Sequence, residues 1–210
     1  MPEALLDAYP AAQTEVVEID PTLVDVAHRF FRAGEYPRMH IVAQDARRFL
    51  RRTDEQYDLI FGDAYNGIRA IPAHLTTVEF FRLVERRLAP HGIYMMNIIA
   101  TMSGPHSAVY ASFVRTLREV FADVCAFAVE PGSDNVGQNV ILVAAKQPPS
   151  LQQRRSAWRG ADAQVEPLLA DYVEIPADLP DGTVFRDDCN PVELMIARAV
   201  ANQLTNPRAE

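Results

Sequence analysis

Apolar positions in the first 145 residues switch between two spacings. Thr14 to Ile19 (TEVVEI) is a β-branched run after a proline-containing turn and predicts a buried strand. Directly after it, Pro21 stands at a first helical position behind Asp20. Leu23, Val26, Ala27, Phe30 and Phe31 then recur at helical spacing. Glu3 to Tyr9 reads as a short helix ahead of this pair.

The alternation continues. His40 to Ala43 predicts a strand, Ala46 to Arg52 a helix, Tyr57 to Gly62 a strand, Thr76 to Leu88 a helix and Ile93 to Ile98 a strand. Strands and helices taking turns at this spacing predict an α/β, doubly wound, Rossmann-like and mostly parallel sheet. A helix over Ser107 to Phe121 then leads to two apolar runs, Val124 to Val129 and Asn139 to Ala145, around the turn-rich PGSDNVGQ. They predict an antiparallel C-terminal hairpin that closes the sheet.

After Lys146 the composition turns polar, and short apolar segments return only near Leu168, Val173 and Pro191 to Val200. Residues 1–147 are expected to form the Rossmann-like domain, and 148–210 a tail packed on its core and ending in a helix. Lys146 itself is read as a solvated strand-end residue.

Charge narrows the function classes. The net charge of −8 argues against nucleic acid as a partner, because phosphate neutralisation needs a basic patch. Arg47, Arg48, Arg51 and Arg52 are therefore read as a solvated helix face. An acidic surface suits a cationic ligand. Lys146 is the sole lysine, so no lysine cluster can serve as a phosphate clamp. Cys125 and Cys189 make no disulfide framework, and five dispersed histidines offer no HxH or HExxH pair, so no metal is expected. No apolar run approaches the roughly 20 residues that cross a bilayer, and a cytoplasmic, membrane-free setting is the expectation.

Three carboxylates fall at predicted strand ends, where an open parallel sheet places its ligand crevice. Glu18, with Ile19 beside it, could accept both hydroxyls of a ribose. Asp45, with the backbone N–H of Ala46, could read an adenine edge. Asp63 ends YDLIFGD. Glu18 and Asp45 each have an alternative as a helix cap, and Asp20 is assigned to capping. Tyr65, two residues past Asp63, could line an amine or adenine pocket or simply pack.

VEID, the QDA turn and DLIFGDAYN, in this order and spacing, resemble the spermidine synthases and their class I methyltransferase relatives. AIPAHLTTVEFFRLVERRLAPHGIYMMN and the terminal FRDDCNPVEL are similar to bacterial members of that family. The resemblance covers about Thr14 to Ala145. It implies aminopropyl transfer: an amine of putrescine attacks the carbon next to the sulfonium of decarboxylated S-adenosylmethionine, and methylthioadenosine leaves. It further implies that Glu18 binds ribose, Asp45 binds adenine, and Asp63 contacts the cofactor and deprotonates or orients the amine. Family members commonly form dimers, so self-association is expected.

Two departures temper the implied activity. The family's first strand and glycine-rich loop would precede Glu3, and none of the nine glycines forms a GxGxxG, so that strand is expected to be missing and cofactor binding weakened. A second acid that the family carries shortly after the first is replaced by Ala64, Tyr65, Asn66, Gly67, Ile68 and Arg69. Asp187 or Asp188 in the tail could supply it, Asp188 as a catalytic acid and Asp187 as an amine contact. Two alternatives therefore stand beside the aminopropyltransferase: an S-adenosylmethionine-dependent methyltransferase, and a truncated non-catalytic relative acting in assembly.

Overall fold

The computed structural model describes residues 2–65, 71–147, 150, 152–153, 156, 171–179 and 182–205. It divides into two compact units, Met1–Asp54 and Glu55–Glu210.

The first unit runs α1 (Pro2–Ala8), β1 (Thr14–Glu18), α2 (Pro21–Phe30), β2 (Met39–Ala43) and α3 (Ala46–Arg52). β1 and β2 pair in parallel from Thr14 opposite Met39 to Glu18 opposite Ala43, as the strand–helix–strand pattern requires. Leu6, Ala33 and Met39 form its small core, with Val16, Ala27, Tyr36 and Ile41 packed around them. Asp20 caps α2, accepting from the Thr22 N–H at 2.8 Å, and Pro21 fills the position where a missing N–H costs nothing. α2 buries no residue completely, and Leu23, Phe30 and Phe31 are exposed.

The second unit runs β3 (Tyr57–Gly62), α4 (Val78–Arg87), β4 (Leu88–Ala100), α5 (Ala108–Arg118), β5 (Asp123–Ala128), β6 (Gln138–Ala145), β7 (Tyr172–Val173) and α6 (Val192–Thr205). Its sheet has the order β3-β4-β6-β5-β7. β3 and β4 are parallel, joined through α4. β6 returns between β4 and β5 and is antiparallel to both. The expected closing hairpin thus sits within a mixed sheet, and β7 adds a short antiparallel edge.

Period-two burial along β4 hides Tyr94, Met96, Ile98 and Ala100 and leaves Ile93, Met95, Asn97 and Ile99 half-buried. Phe81, Val84, Phe113, Val114, Leu117 and Leu142 are fully buried around it. Phe185 belongs to the same core: it is fully buried and meets Phe113 edge-on at 5.4 Å. Its N–H donates to Thr116 Oγ1 at 3.0 Å, and its carbonyl accepts from the Val78 N–H at 2.9 Å. At Gly182 an added Cβ would lie 2.9 Å from backbone atoms of Ala111 and Ser112, so only glycine lets the chain approach α5 this closely.

Two readings of surface cations are corrected. Lys146 is not solvated: its Nζ donates to the Leu88 carbonyl at 2.7 Å, and Glu85 lies 3.8 Å away. β4 begins at Leu88, five residues before the apolar run suggests, and its first carbonyl needs a partner. Arg47 is buried, whereas Arg48, Arg51 and Arg52 remain exposed, because the first turn of α3 turns its second residue inward. Leu168, Trp158 and Arg69 lie outside the described residues.

Candidate active site

In the first unit the predicted carboxylates come together at the C-terminal ends of neighbouring parallel strands. Glu18 ends β1 and Asp45 follows β2 by two residues; the Gln44 N–H donates to the Glu18 carbonyl at 2.9 Å and ties the two ends together. Glu18 Oε1 accepts from the Asp20 N–H at 2.9 Å. Asp45 caps α3, its Oδ1 accepting from the Arg48 N–H at 2.8 Å. A cap uses one oxygen of a carboxylate, so capping and ligand binding are compatible at Asp45. Ile19 is exposed and Ala46 opens α3. The side-chain N–H₂ of Gln44, the residue before Asp45, is buried and has no hydrogen-bond partner among the described residues.

In the second unit Asp63 lies just past β3 and is exposed. Its Oδ1 accepts from Asn97 Nδ2 at 3.1 Å, and the Tyr65 hydroxyl donates to the Asn97 carbonyl at 2.9 Å. One residue of β4 therefore holds the loop that leaves β3 at two points. Burial and then the Asp63 charge push the Tyr65 phenol up to about 12, so it remains a neutral donor.

The tail acids occupy the turn Arg186–Cys189, which closes on itself through mutual backbone bonds of 3.1 Å. Thr77, buried at the start of α4, donates its hydroxyl to Asp187 Oδ1 at 2.7 Å, and the Asp187 N–H donates to Glu79 Oε2 at 3.1 Å. Asp188 is exposed, and its carboxylate accepts no hydrogen bond among the described residues. Asn190 fastens the far side of the turn, donating to the Ala73 carbonyl at 2.7 Å and to Thr76 Oγ1 at 2.8 Å.

Sequence reasoning passed over Asn97. The signal was a lone amide in YMMNII, an otherwise apolar strand, whose side chain must find polar partners at the strand's end. Among the described residues no group of three or more His, Cys, Asp or Glu side chains could hold a metal ion.

Parallel strand–helix repeats with acids at the strand ends, completed by an antiparallel hairpin, define a Rossmann-like α/β protein of the class I methyltransferase kind. Within that class the chain belongs to the family of the spermine/spermidine synthase domain, whose model matches residues 6–148. It is 30% identical over 180 residues to the polyamine aminopropyltransferase of Vibrio vulnificus, covering 84% of this chain and 57% of that one. To a probable polyamine aminopropyl transferase of Bifidobacterium longum it is 27% identical, covering 91% and 45%. The chain thus spans about half the length of these curated relatives.

Among solved structures, a probable spermidine synthase from Corynebacterium glutamicum superposes with a TM-score of 0.58 at 29% identity, covering 72% of this chain and 55% of that one. Human methyltransferase-like protein 13, solved in complex with SAH, has a TM-score of 0.61 at 20% identity, covering 86% and 79%, and shares the fold.

Proposed function

We propose that this chain serves aminopropyl transfer from decarboxylated S-adenosylmethionine to putrescine or a related amine. Membership of the spermine/spermidine synthase family supports the reaction class. The observation that carries the reading is Asp63: an exposed carboxylate at a strand end, with one oxygen engaged by a neutral amide.

The residues of the first unit fit an adenosyl group. Glu18 has Oε1 engaged by a local backbone N–H and accepts no other hydrogen bond among the described residues, leaving Oε2 for a ribose hydroxyl. The buried N–H₂ of Gln44, without a partner among the described residues, is a donor on the residue that follows β2. In this reading Glu18 and Ile19 hold the ribose side, and Asp45 and Ala46 the adenine side.

When bound, the sulfonium compound supplies an activated carbon that the amine lone pair attacks as the carbon–sulfur bond breaks. A protonated amine has no lone pair. Asp63 attracts the cation and accepts its proton, a role that general-base catalysis values at roughly 10²–10⁴-fold in rate. Asp188 is the tail acid assigned to the amine, with Asp187 holding its turn and Tyr65 lining the amine side. The same reading places the chain in the cytoplasm, with a small polyamine as partner, no nucleic acid, and self-association as a dimer.

The test is release of methylthioadenosine by the purified chain given putrescine and decarboxylated S-adenosylmethionine. Asp63→Asn should lower the rate about a hundredfold or more with the fold intact. Equal rates in the two proteins would remove Asp63 from the reaction.

A methyltransferase reading is favoured by one feature, the Ala-Tyr-Asn-Gly run after Asp63 where the family carries a second acid. It requires transfer from the carboxylated sulfonium compound instead.

A further inference from the structure

Asn97 has a side chain used on one side only. Its Nδ2 donates to Asp63 Oδ1 at 3.1 Å, while its Oδ1 is buried and accepts no hydrogen bond among the described residues. It sits half-buried on the face of β4 shared by Ile93 and Met95, which pack against Cys125, Val143 and Ala145. A buried carbonyl without a donor costs free energy, and a branched apolar side chain of the same size would cost nothing there. Fold stability alone therefore disfavours an amide at this position. What the amide does supply is a fixed donor to Asp63, backed by the Tyr65 hydroxyl on the Asn97 carbonyl, 2.9 Å away.

We infer that Asn97 is the positioning residue for Asp63: its side-chain amide holds one carboxylate oxygen and turns the other toward the amine. The inference rests on the reading of Asp63 as the amine-directing acid. Because a neutral amide engages Oδ1 without neutralising the charge, Asp63 keeps its full attraction for a cation in one fixed orientation. The second tether survives any change of the Asn97 side chain, since it uses the backbone carbonyl. Asn97→Leu, close to Asn in shape, thus removes the orienting bond alone.

The test combines thermal unfolding, calorimetric titration with putrescine, and ¹H–¹⁵N spectra of side-chain amides. The proteins compared are the full chain, Asn97→Leu, Asp63→Asn, the double variant, and Asp63→Ala for the spectra. Asn97→Leu should unfold at the same or a higher temperature and bind putrescine about tenfold more weakly, the scale of one lost hydrogen bond to a charged group. In the Asp63→Asn background the same change should cost no further affinity, and Asp63→Ala should shift the Asn97 amide resonances.

Wild-type affinity in Asn97→Leu, or additive losses in the double variant, would overturn the inference, as would amide resonances indifferent to Asp63→Ala. A folded wild-type chain that binds no putrescine, with the Asn97 resonances still moved by Asp63→Ala, would fail the functional reading while supporting the positioning contact.

Discussion

The Thr77 hydroxyl donates to Asp187 Oδ1 at 2.7 Å, joining residues 110 positions apart in the sequence. Thr77 also caps α4, its Oγ1 accepting from the Phe80 N–H at 3.2 Å, and is only 1% exposed. The turn bearing both tail acids is therefore fastened to the start of the helix that follows the Asp63 loop.

Asp187→Ala leaves the buried Thr77 hydroxyl without its acceptor and should destabilise the chain by about 1–2 kcal/mol, read as a lower urea midpoint. Asp188→Asn, in an exposed carboxylate that accepts no hydrogen bond among the described residues, should leave that midpoint unchanged and weaken putrescine binding. An unchanged amine affinity in Asp188→Asn would remove it as the second acid.

Asp45 separates its two proposed roles by substitution. Asn caps helices about as well as Asp, so Asp45→Asn should keep stability while weakening the binding of adenosyl nucleotides. Asp45→Ala should in addition lose about 1 kcal/mol of stability through the missing cap. Equal nucleotide affinity in all three proteins would leave Asp45 as a cap and nothing more.

Tyr65 gives a pH signature. Burial first, and the Asp63 charge second, raise its phenol from 10.0 to about 12, so folding favours the neutral form. Its contribution is whole below the unfolded value near 10 and is lost as pH rises through about 12. Burial pushes Tyr94 and Tyr110 up as well, in the same direction. Urea midpoints should hold steady at neutral pH and fall in the alkaline range. Tyr65→Phe should make that fall shallower while costing about 1 kcal/mol at neutral pH through the lost bond to Asn97.

Phe185 tests whether the terminal segment is part of the core. It is fully buried against Phe113, so Phe185→Ala should cost about 3–5 kcal/mol, the range for deleting a buried aromatic ring. A loss of about 0.5 kcal/mol or less, the ordinary range for a surface position, would show the segment to be dispensable.

Local periodicity carried most of the fold. Ala46–Arg52 and Tyr57–Gly62 have the bounds that spacing predicts, and the hairpin of β5 and β6 follows from two apolar runs about a turn-rich segment. What periodicity cannot see is pairing at long range. The start of β4 at Leu88 pairs with Tyr57 and is bonded by Lys146, and the buried Phe185 is bonded to Thr116 and Val78, all distant in the sequence. The site followed the same division. The placement of Glu18, Asp45 and Asp63 at or just past strand ends was legible from the strand–helix alternation, whereas the Asn97–Asp63 contact spans 34 positions and the spacing of Asn97 carries no mark of it.

The central claim is the identity of the sulfonium compound, and calorimetric titration of the purified 210-residue chain measures it directly. Decarboxylated S-adenosylmethionine and methylthioadenosine should bind, the former in preference to S-adenosylmethionine. Preference for the carboxylated compound, or no binding of any of the three by a folded chain, would contradict aminopropyl transfer.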